Sequence, residues 1–442
     1  MMLRALYGLL ALLALPFIAA VDGLHALRDP SQRGRLRERL GRPAAALPTG
    51  ALWVHAVSVG EVQAAAALVR ELRRRAPDHP VFVTTVTATG AARARALFGD
   101  DVAHAYLPYD ISGPVRRFLD HARPVVAVMM ETEVWPVLYR ELARREVPLV
   151  IASARLSERS MRRYRRVASL IRDALAANVT VCAQTEADAA RFRELGAMPA
   201  RVQVTGNVKF DQSVPDAVIR QGRAWRARHA AGRPVWVAGS THPGEEVAAF
   251  DAHVLVRSRH PDALLVIAPR HPQRFEAVRL LLAERAANSA VRSRGGEPGP
   301  DDPVYLADTL GELQAFYAAA DVAFVGGSLV PVGGHSLLEP ASLGVPVVSG
   351  PHVHNAPDVA AMLESTGALE IVRDDAGLGA AVLRAFDDPE NARARGGRGR
   401  EAMAANRGAV DRVAAVVLPL LSRTAARSPS AAAAPPASSG TH

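Results

Sequence analysis

Short apolar runs recur along this chain with helix-length stretches between them, and the rhythm breaks once. The first set is LWVHAVS (52–58), VFVTTVT (81–87), VVAVMM (125–130), PLVIASA (148–154), VTVCAQ (179–184) and VQVTGN (202–207). Alanine- and arginine-rich amphipathic stretches, such as 62–76 and 186–195, separate them. Strand, helix, strand at this spacing implies a parallel sheet covered on both faces. Residues 211–234 then carry polar side chains and no strand-like run, as an interdomain connection would. A second set follows: VWVAGS (235–240), ALLVIAPR (263–270), VYLAD (304–308), VAFVGGS (322–328) and VPVVSGP (345–351). The expected fold class is α/β, with two Rossmann-like domains whose parallel sheets face each other across a cleft. Open sheets of this kind bind ligands at the carboxyl ends of their strands. The length of 442 residues agrees, being too great for one ordinary core. The expected boundaries are an anchor at 1–27, a first α/β domain at 28–212, a connection at 213–234, a second α/β domain at 235–423 and a disordered tail at 424–442.

Residues 5–21, ALYGLLALLALPFIAAV, carry no charge, which is the short limit for a bilayer-spanning helix. Arg28, Arg33, Arg35, Arg37, Arg39 and Arg42 follow, against only Asp29 and Glu38. A cleaved signal peptide is the competing reading, with FIAAVDG as a loose cleavage site. The basic cluster favours an uncleaved anchor, spanning or lying in the surface, that keeps the body on the cytoplasmic face and draws it to anionic headgroups. A net charge of +9 likewise suits phosphate-bearing or membrane-surface partners. Nucleic acid is disfavoured, because aromatics make up 5% of the chain and no basic–aromatic interleaving occurs. Neither half shows GxGxxG after its first strand, and the Walker lysine motif is absent, which disfavours dinucleotide and P-loop chemistry. The single cysteine, Cys182, excludes an intramolecular disulfide.

In the first half, HAVSVGE places Glu61 where a strand turns into a helix, an unusual station for a structural carboxylate. METEVWP follows a strand with Glu131 and Glu133, which strand alternation would point the same way, into a cleft. IASARLSERSMRRYRR begins its arginine run at Arg155; a solvated helix face and a site for an acidic headgroup or phosphate both fit it. VTGNVKFD supplies Lys209. In the second half, GGSLVPVGGHSLLEPA is the most informative stretch. Gly327, Ser328 and Gly334 would let backbone approach a phosphate, and Glu339 on the following helix would accept from ribose hydroxyls. A structural glycine turn with Glu339 solvated is the alternative. Pro269 and Arg270 end a strand, where an arginine suits a phosphate, with His271 binding or merely packing. AGSTHPGEE offers the hydroxyls of Ser240 and Thr241 and the imidazole of His242 to an anion. In DTLGEL, backbone near Gly311 would read a base edge, or Asp308 would simply cap the helix.

Taken in order and at these separations, HAVSVGE, METEVWP, ASARLSERS, VTGNVKFD, GSTHPGEE, PRHPQRF, DTLGEL and GGSLVPVGGHSLLEPA resemble the 3-deoxy-D-manno-octulosonic acid (Kdo) transferases of lipopolysaccharide synthesis. The resemblance runs from the anchor to about residue 420. It implies a GT-B glycosyltransferase on the cytoplasmic side of the inner membrane, moving Kdo from CMP-Kdo to a tetraacylated lipid A precursor without a metal ion or other cofactor. It also implies Glu61 as general base, and Glu131 and Lys209 as stabilisers of the transition state. Pro269, Arg270, the Leu310–Gly311–Glu312 turn and Ser336, Leu337, Leu338 and Glu339 would hold CMP. Arg155 would meet an acceptor phosphate or the sugar carboxylate. Members of the family often carry asparagine where this chain has Ser336, so that contact is shortened. Two other readings keep the architecture: a sugar-nucleotide 2-epimerase, and a membrane-tethered protein that binds nucleotide-sugar or lipid without catalysis.

Overall fold

The apolar runs become two parallel sheets in the computed structural model, which describes residues 2–28, 34–176, 178–285 and 289–425. The first sheet contains β1 (Leu52–His55), β2 (Val81–Thr85), β3 (Ala103–Tyr106), β4 (Val126–Met130), β5 (Leu149–Ala154), β6 (Val179–Ala183) and β7 (Val202–Val204). Its order is β3-β2-β1-β4-β5-β6-β7. The second contains β8 (Val235–Thr241), β9 (Leu264–Pro269), β10 (Ser289–Val291), β11 (Val304–Leu306), β12 (Val322–Val325), β13 (Val347–Ser349) and β14 (Leu369–Ile371). Its order is β10-β11-β9-β8-β12-β13-β14. Each sheet is the spine of its own unit: Met1–Asp211 with Arg407–His442, and Gln212–Asn406.

Helices on both faces explain why the strands read as continuous apolar runs. In the first unit Trp53 of β1 stacks on Phe82 of β2 with centroids 5.8 Å apart, and its indole N–H donates to Thr84 Oγ1 at 2.8 Å. That bond removes the penalty of burying the indole nitrogen. In the second unit Trp236 of β8 donates to His253 Nδ1 at 3.1 Å. Burial pushes His253 down to about 3, so the ring is neutral and free to accept.

Two expected boundaries differ. The stretch taken as a connection, 213–234, contains the helix Asp216–His229 and belongs to the second unit. It packs on the helix Leu313–Ala319, with Trp225 buried against Tyr305 and Phe316. The approach is close: a Cβ on Gly222 would lie 2.1 Å from the Ala315 carbonyl oxygen. Nor does the second unit run to 423. The chain returns at Arg407, and the helix Ala409–Ala425 packs on Val59–Arg75 in the first unit. Val413, Ala414, Val417 and Leu421, at helical spacing, join that unit's core. The Asp211 carboxylate fixes the entry by accepting the N–H groups of Gly408 and Val410, both at 2.6 Å.

The expected anchor is one helix, Met2–Arg28, with Pro16 inside it. Its segment Tyr7–Leu24 is long and apolar enough to cross a membrane, and 6% of it is buried. Apart from 424 and 425, the expected disordered tail lies outside the described residues.

Candidate functional site

In the first sheet the chain order reverses between β1 and β4, the place where an open α/β sheet leaves a crevice. Glu61 follows β1 and Glu131 follows β4. Ser58 caps the helix Val59–Arg75, and Glu61, three residues on, reaches back to accept the Val57 N–H at 2.8 Å. This is a capping box displaced by one residue, since the N–H bound precedes the cap, and it explains the position of Glu61 structurally. It does not account for the electrostatics. Burial pushes the Glu61 carboxyl up to about 8; the Val57 hydrogen bond opposes the rise, Glu131 and Glu133 add to it, and Lys209 opposes it. Lys209 Nζ stands 2.6 Å from Glu131 Oε1. Burial, reinforced by Glu131, also raises Glu133 to about 7. Three carboxylates and the only lysine of the chain are thus gathered at one reversal point.

Strand alternation is not what aligns Glu131 and Glu133. β4 ends at Met130, and Glu131 adopts a left-handed backbone with φ 57°. Ser153, near the end of β5, is left-handed too, at φ 54°, beside a register shift against β6. Non-glycine residues held there store strain, which clusters at functional sites. The Ser153 hydroxyl accepts from Val208 N–H and Gln184 Nε2, and Asn207 Oδ1 accepts the Lys209 N–H at 2.9 Å. Ser153, Gln184 and Asn207 therefore hold the short 3-10 helix Val208–Asp211 that aims Lys209. Arg155 follows β5 half-buried, its carbonyl accepting from the Thr132 hydroxyl. The rest of the arginine run lies largely exposed on the helix Glu158–Arg165, as a solvated face does.

In the second unit the expected residues follow four adjacent strands, β11, β9, β8 and β12, and so share one sheet edge. The glycine turn after β12 is built, but its amides are occupied. Glu245, fully buried, accepts N–H groups from His242 (2.9 Å), Gly327 (2.6 Å), Ser328 (2.9 Å) and Leu329 (2.9 Å). An internal carboxylate fills the nest that the sequence assigned to a phosphate. The Ser328 hydroxyl is buried and bonded to Val325 O and Gly350 N, and the Gly334 N–H donates to Gly327 O at 2.7 Å. Thr241 is also spent, donating to Glu246 Oε1. Those four residues shape the turn rather than offer it. Ser240 is half-buried at the strand end, left-handed at φ 57°.

What remains open is cationic and aromatic. Arg270, exposed after Pro269 of β9, lies near His242, His271 and His335. His242 and His335 stack at 5.1 Å with their Nε2 atoms 2.8 Å apart, and His271 meets His242 edge-on at 5.2 Å. Two facing Nε2 atoms at that distance share one proton, so at most one of the two rings is charged. Burial, with Arg270 next, lowers His335 to about 4 in agreement. Sequence reasoning passed over His335 and Glu245; the signal for both was their place beside glycine turns at strand ends. Leu310 and Gly311 are exposed, Gly311 with φ 90°, while Arg292 clamps Glu312 at 2.9 and 3.2 Å. Asp308 does not cap the next helix; its carboxylate accepts from Ser293. Ser336 is exposed, Leu337 and Leu338 are buried, and Glu339 is half-buried at the start of the helix Leu338–Ser342, near Tyr317.

Residues 34–212 match the family model for 3-deoxy-D-manno-octulosonic-acid transferase (kdotransferase). The chain is 37% identical over 425 residues to the 3-deoxy-D-manno-octulosonic acid transferase of Haemophilus influenzae, covering 96% of this chain and 100% of that one. It is 42% identical over 358 residues to the Bordetella pertussis protein of the same name, covering 78% and 81%. The solved UDP-GlcNAc 2-epimerase of Neisseria meningitidis aligns with a TM-score of 0.53 at 13% identity, over 84% of this chain and 99% of that one. At that identity the likeness speaks for fold alone, two α/β units of the GT-B kind. The chain belongs to the 3-deoxy-D-manno-octulosonic acid transferase family and is a glycosyltransferase.

Proposed function

We propose that this transferase moves Kdo from CMP-Kdo to a primary hydroxyl of a tetraacylated lipid A precursor, releasing CMP, at the cytoplasmic face of the inner membrane. The observation that carries the reading is Glu61: a partly buried carboxyl raised to about 8, beside the Lys209–Glu131 pair at the β1/β4 reversal. A base must hold the proton it takes, and a raised pKa increases that basicity. In the step proposed, the acceptor hydroxyl gives its proton to Glu61 as its oxygen bonds to the anomeric carbon. The bond from that carbon to the CMP phosphate oxygen breaks with inversion. CMP leaves already anionic, so no general acid is required, and no metal ion is assigned to the step.

Lys209 fits the charge that grows on the sugar during transfer, with Glu131 fixing its position. Arg270 and the imidazoles of His242, His271 and His335 suit the departing phosphate, and exposed Leu310 and Gly311 suit the base. Arg155 suits an acceptor phosphate or the Kdo carboxylate. The test is Glu61→Gln, followed by mass spectrometry of the lipid product. Transfer should fall at least a thousandfold while CMP-Kdo still binds. Near-normal transfer would remove Glu61 from the role. Turnover of a UDP-sugar without any acceptor would favour the epimerase reading instead.

A further inference from the structure

The helix Met2–Arg28 is bound to the first unit near both of its ends. The Tyr7 hydroxyl donates to Asp110 Oδ2 at 2.8 Å, and Tyr7 packs on the unit's core. Fifteen residues later Asp22, 8% exposed, accepts from the Tyr109 hydroxyl and pairs with Arg35 at 3.6 Å. Adjacent residues, Tyr109 and Asp110, thus hold points about 22 Å apart on the helix, at 1.5 Å per residue. Asp110 is itself fixed by the N–H groups of Val137 and Leu138. Between the two ties, Tyr7, Ala11, Leu15, Ala19 and Asp22 form one continuous stripe of reduced exposure. That spacing puts both ties on one side of the helix. Leu9, Leu10, Leu13 and Phe17 are exposed on the remaining surface.

A helix crossing the bilayer would need Tyr7 at the far side of about 30 Å of hydrocarbon. Asp110 would then be drawn in with it, as would Arg140, which shares a cavity of about 460 Å³ with Tyr7, Gly8 and Leu12. Each charge placed at membrane depth costs about 3 kcal/mol or more. We propose that this helix lies flat along the first unit and enters one leaflet only, with both of its ends on the same side of the membrane. The partner surface is a leaflet containing anionic phospholipid, because the neighbouring helix Arg35–Arg39, which packs on the anchor, belongs to a basic cluster. Arg37, Arg42 and Arg117 line one surface hollow there.

The test uses the full chain with one cysteine added ahead of Met1. Cys182 is buried, and burial pushes its thiol up to about 12, so it stays silent to maleimides. A membrane-impermeant maleimide should label the added cysteine in inside-out membrane vesicles and at least tenfold less in right-side-out vesicles. Labelling from the outer face would overturn the proposal, and so would failure to label from either face, which would place the terminus within the bilayer. Purified protein should also bind phosphatidylglycerol-containing vesicles several-fold better than pure phosphatidylcholine vesicles. Equal binding would overturn the anionic part. Neither measurement depends on catalysis, so loss of the Glu61 role would leave this inference standing.

Discussion

Ionising Glu61 is opposed mainly by burial, and that fixes the sign of two measurements. Its folded pKa, about 8, lies above the ordinary 4.5, so the native state holds the proton more tightly than the unfolded chain. The stability this group contributes is complete below about pH 4.5 and is lost as pH rises through 8. Glu61→Gln keeps an oxygen for the Val57 N–H and removes the ionisation. Its melting temperature relative to the parent should therefore climb between pH 5 and 8.5, while transfer is abolished; a constant difference would mean that Glu61 ionises freely. Transfer by the parent should rise tenfold per pH unit on the acid side and level off near 8, because the base works as its anion. Glu133, at about 7, interacts with the same group, so the limb belongs to the coupled set rather than to one residue. Glu133→Gln removes a negative neighbour and should move the limb to lower pH; an unmoved limb would separate the two groups. Lys209 allows a chemical test, since an amine-selective acylating reagent meets only this side chain and the amino terminus. Inactivation should track acylation at Lys209, followed by peptide mass spectrometry, and full activity with Lys209 acylated would deny it a part.

Elements were legible in the sequence in proportion to their burial. β1, β2, β4, β5, β8 and β9 are strands of four to seven residues lying almost wholly in the interior, and each announces itself as an apolar run. β3, β10 and β14 passed unread; all three are edge strands of three or four residues, and the half-wet AHAY of β3 shows why. The helix Asp216–His229 looked like a connection because much of its surface is charged and it meets its neighbour partly through a glycine, which leaves no apolar signature. The site divides the same way. Glu61, Lys209 and Arg270 stand at strand-to-helix transitions and could be picked out, whereas a period of two cannot foresee the left-handed turn at Glu131. Glu245 looked like an ordinary acid at a helix start; only folding brings the Gly327–Leu329 amides onto it. Gly222 offers a test at this scale. Gly222→Ala puts a methyl into the Ala315 carbonyl and should destabilise the second unit by about 1–3 kcal/mol through overpacking, despite alanine's better helix propensity. Denaturant titration followed by Trp225 fluorescence would read it, and a stabilised variant would show that this part of the chain is a connection after all.

For the whole molecule, the decisive fact is that the chain passes between its units twice, after Asp211 and after Asn406. The first unit is therefore completed by the helix Ala409–Ala425, and cannot be finished until the residues of the second unit have been made. Fully buried valine and leucine side chains contribute about 1.5–3 kcal/mol each, so Val413, Val417 and Leu421 together approach the whole stability of an ordinary domain. Ending the chain at Asn406 should remove the first unit's cooperative melting and leave that of the second, whose strands and core lie within Gln212–Asn406. So large a deletion also bares core surface that promotes aggregation, and Asp211→Ala is the sharper variant. It leaves the Gly408 and Val410 amides without their carboxylate and should destabilise by about 2–3 kcal/mol. Calorimetry should show that loss in the first unit's transition only. An equal shift in both transitions would mean that the two units melt as one, and that the returning helix is not the private property of the first.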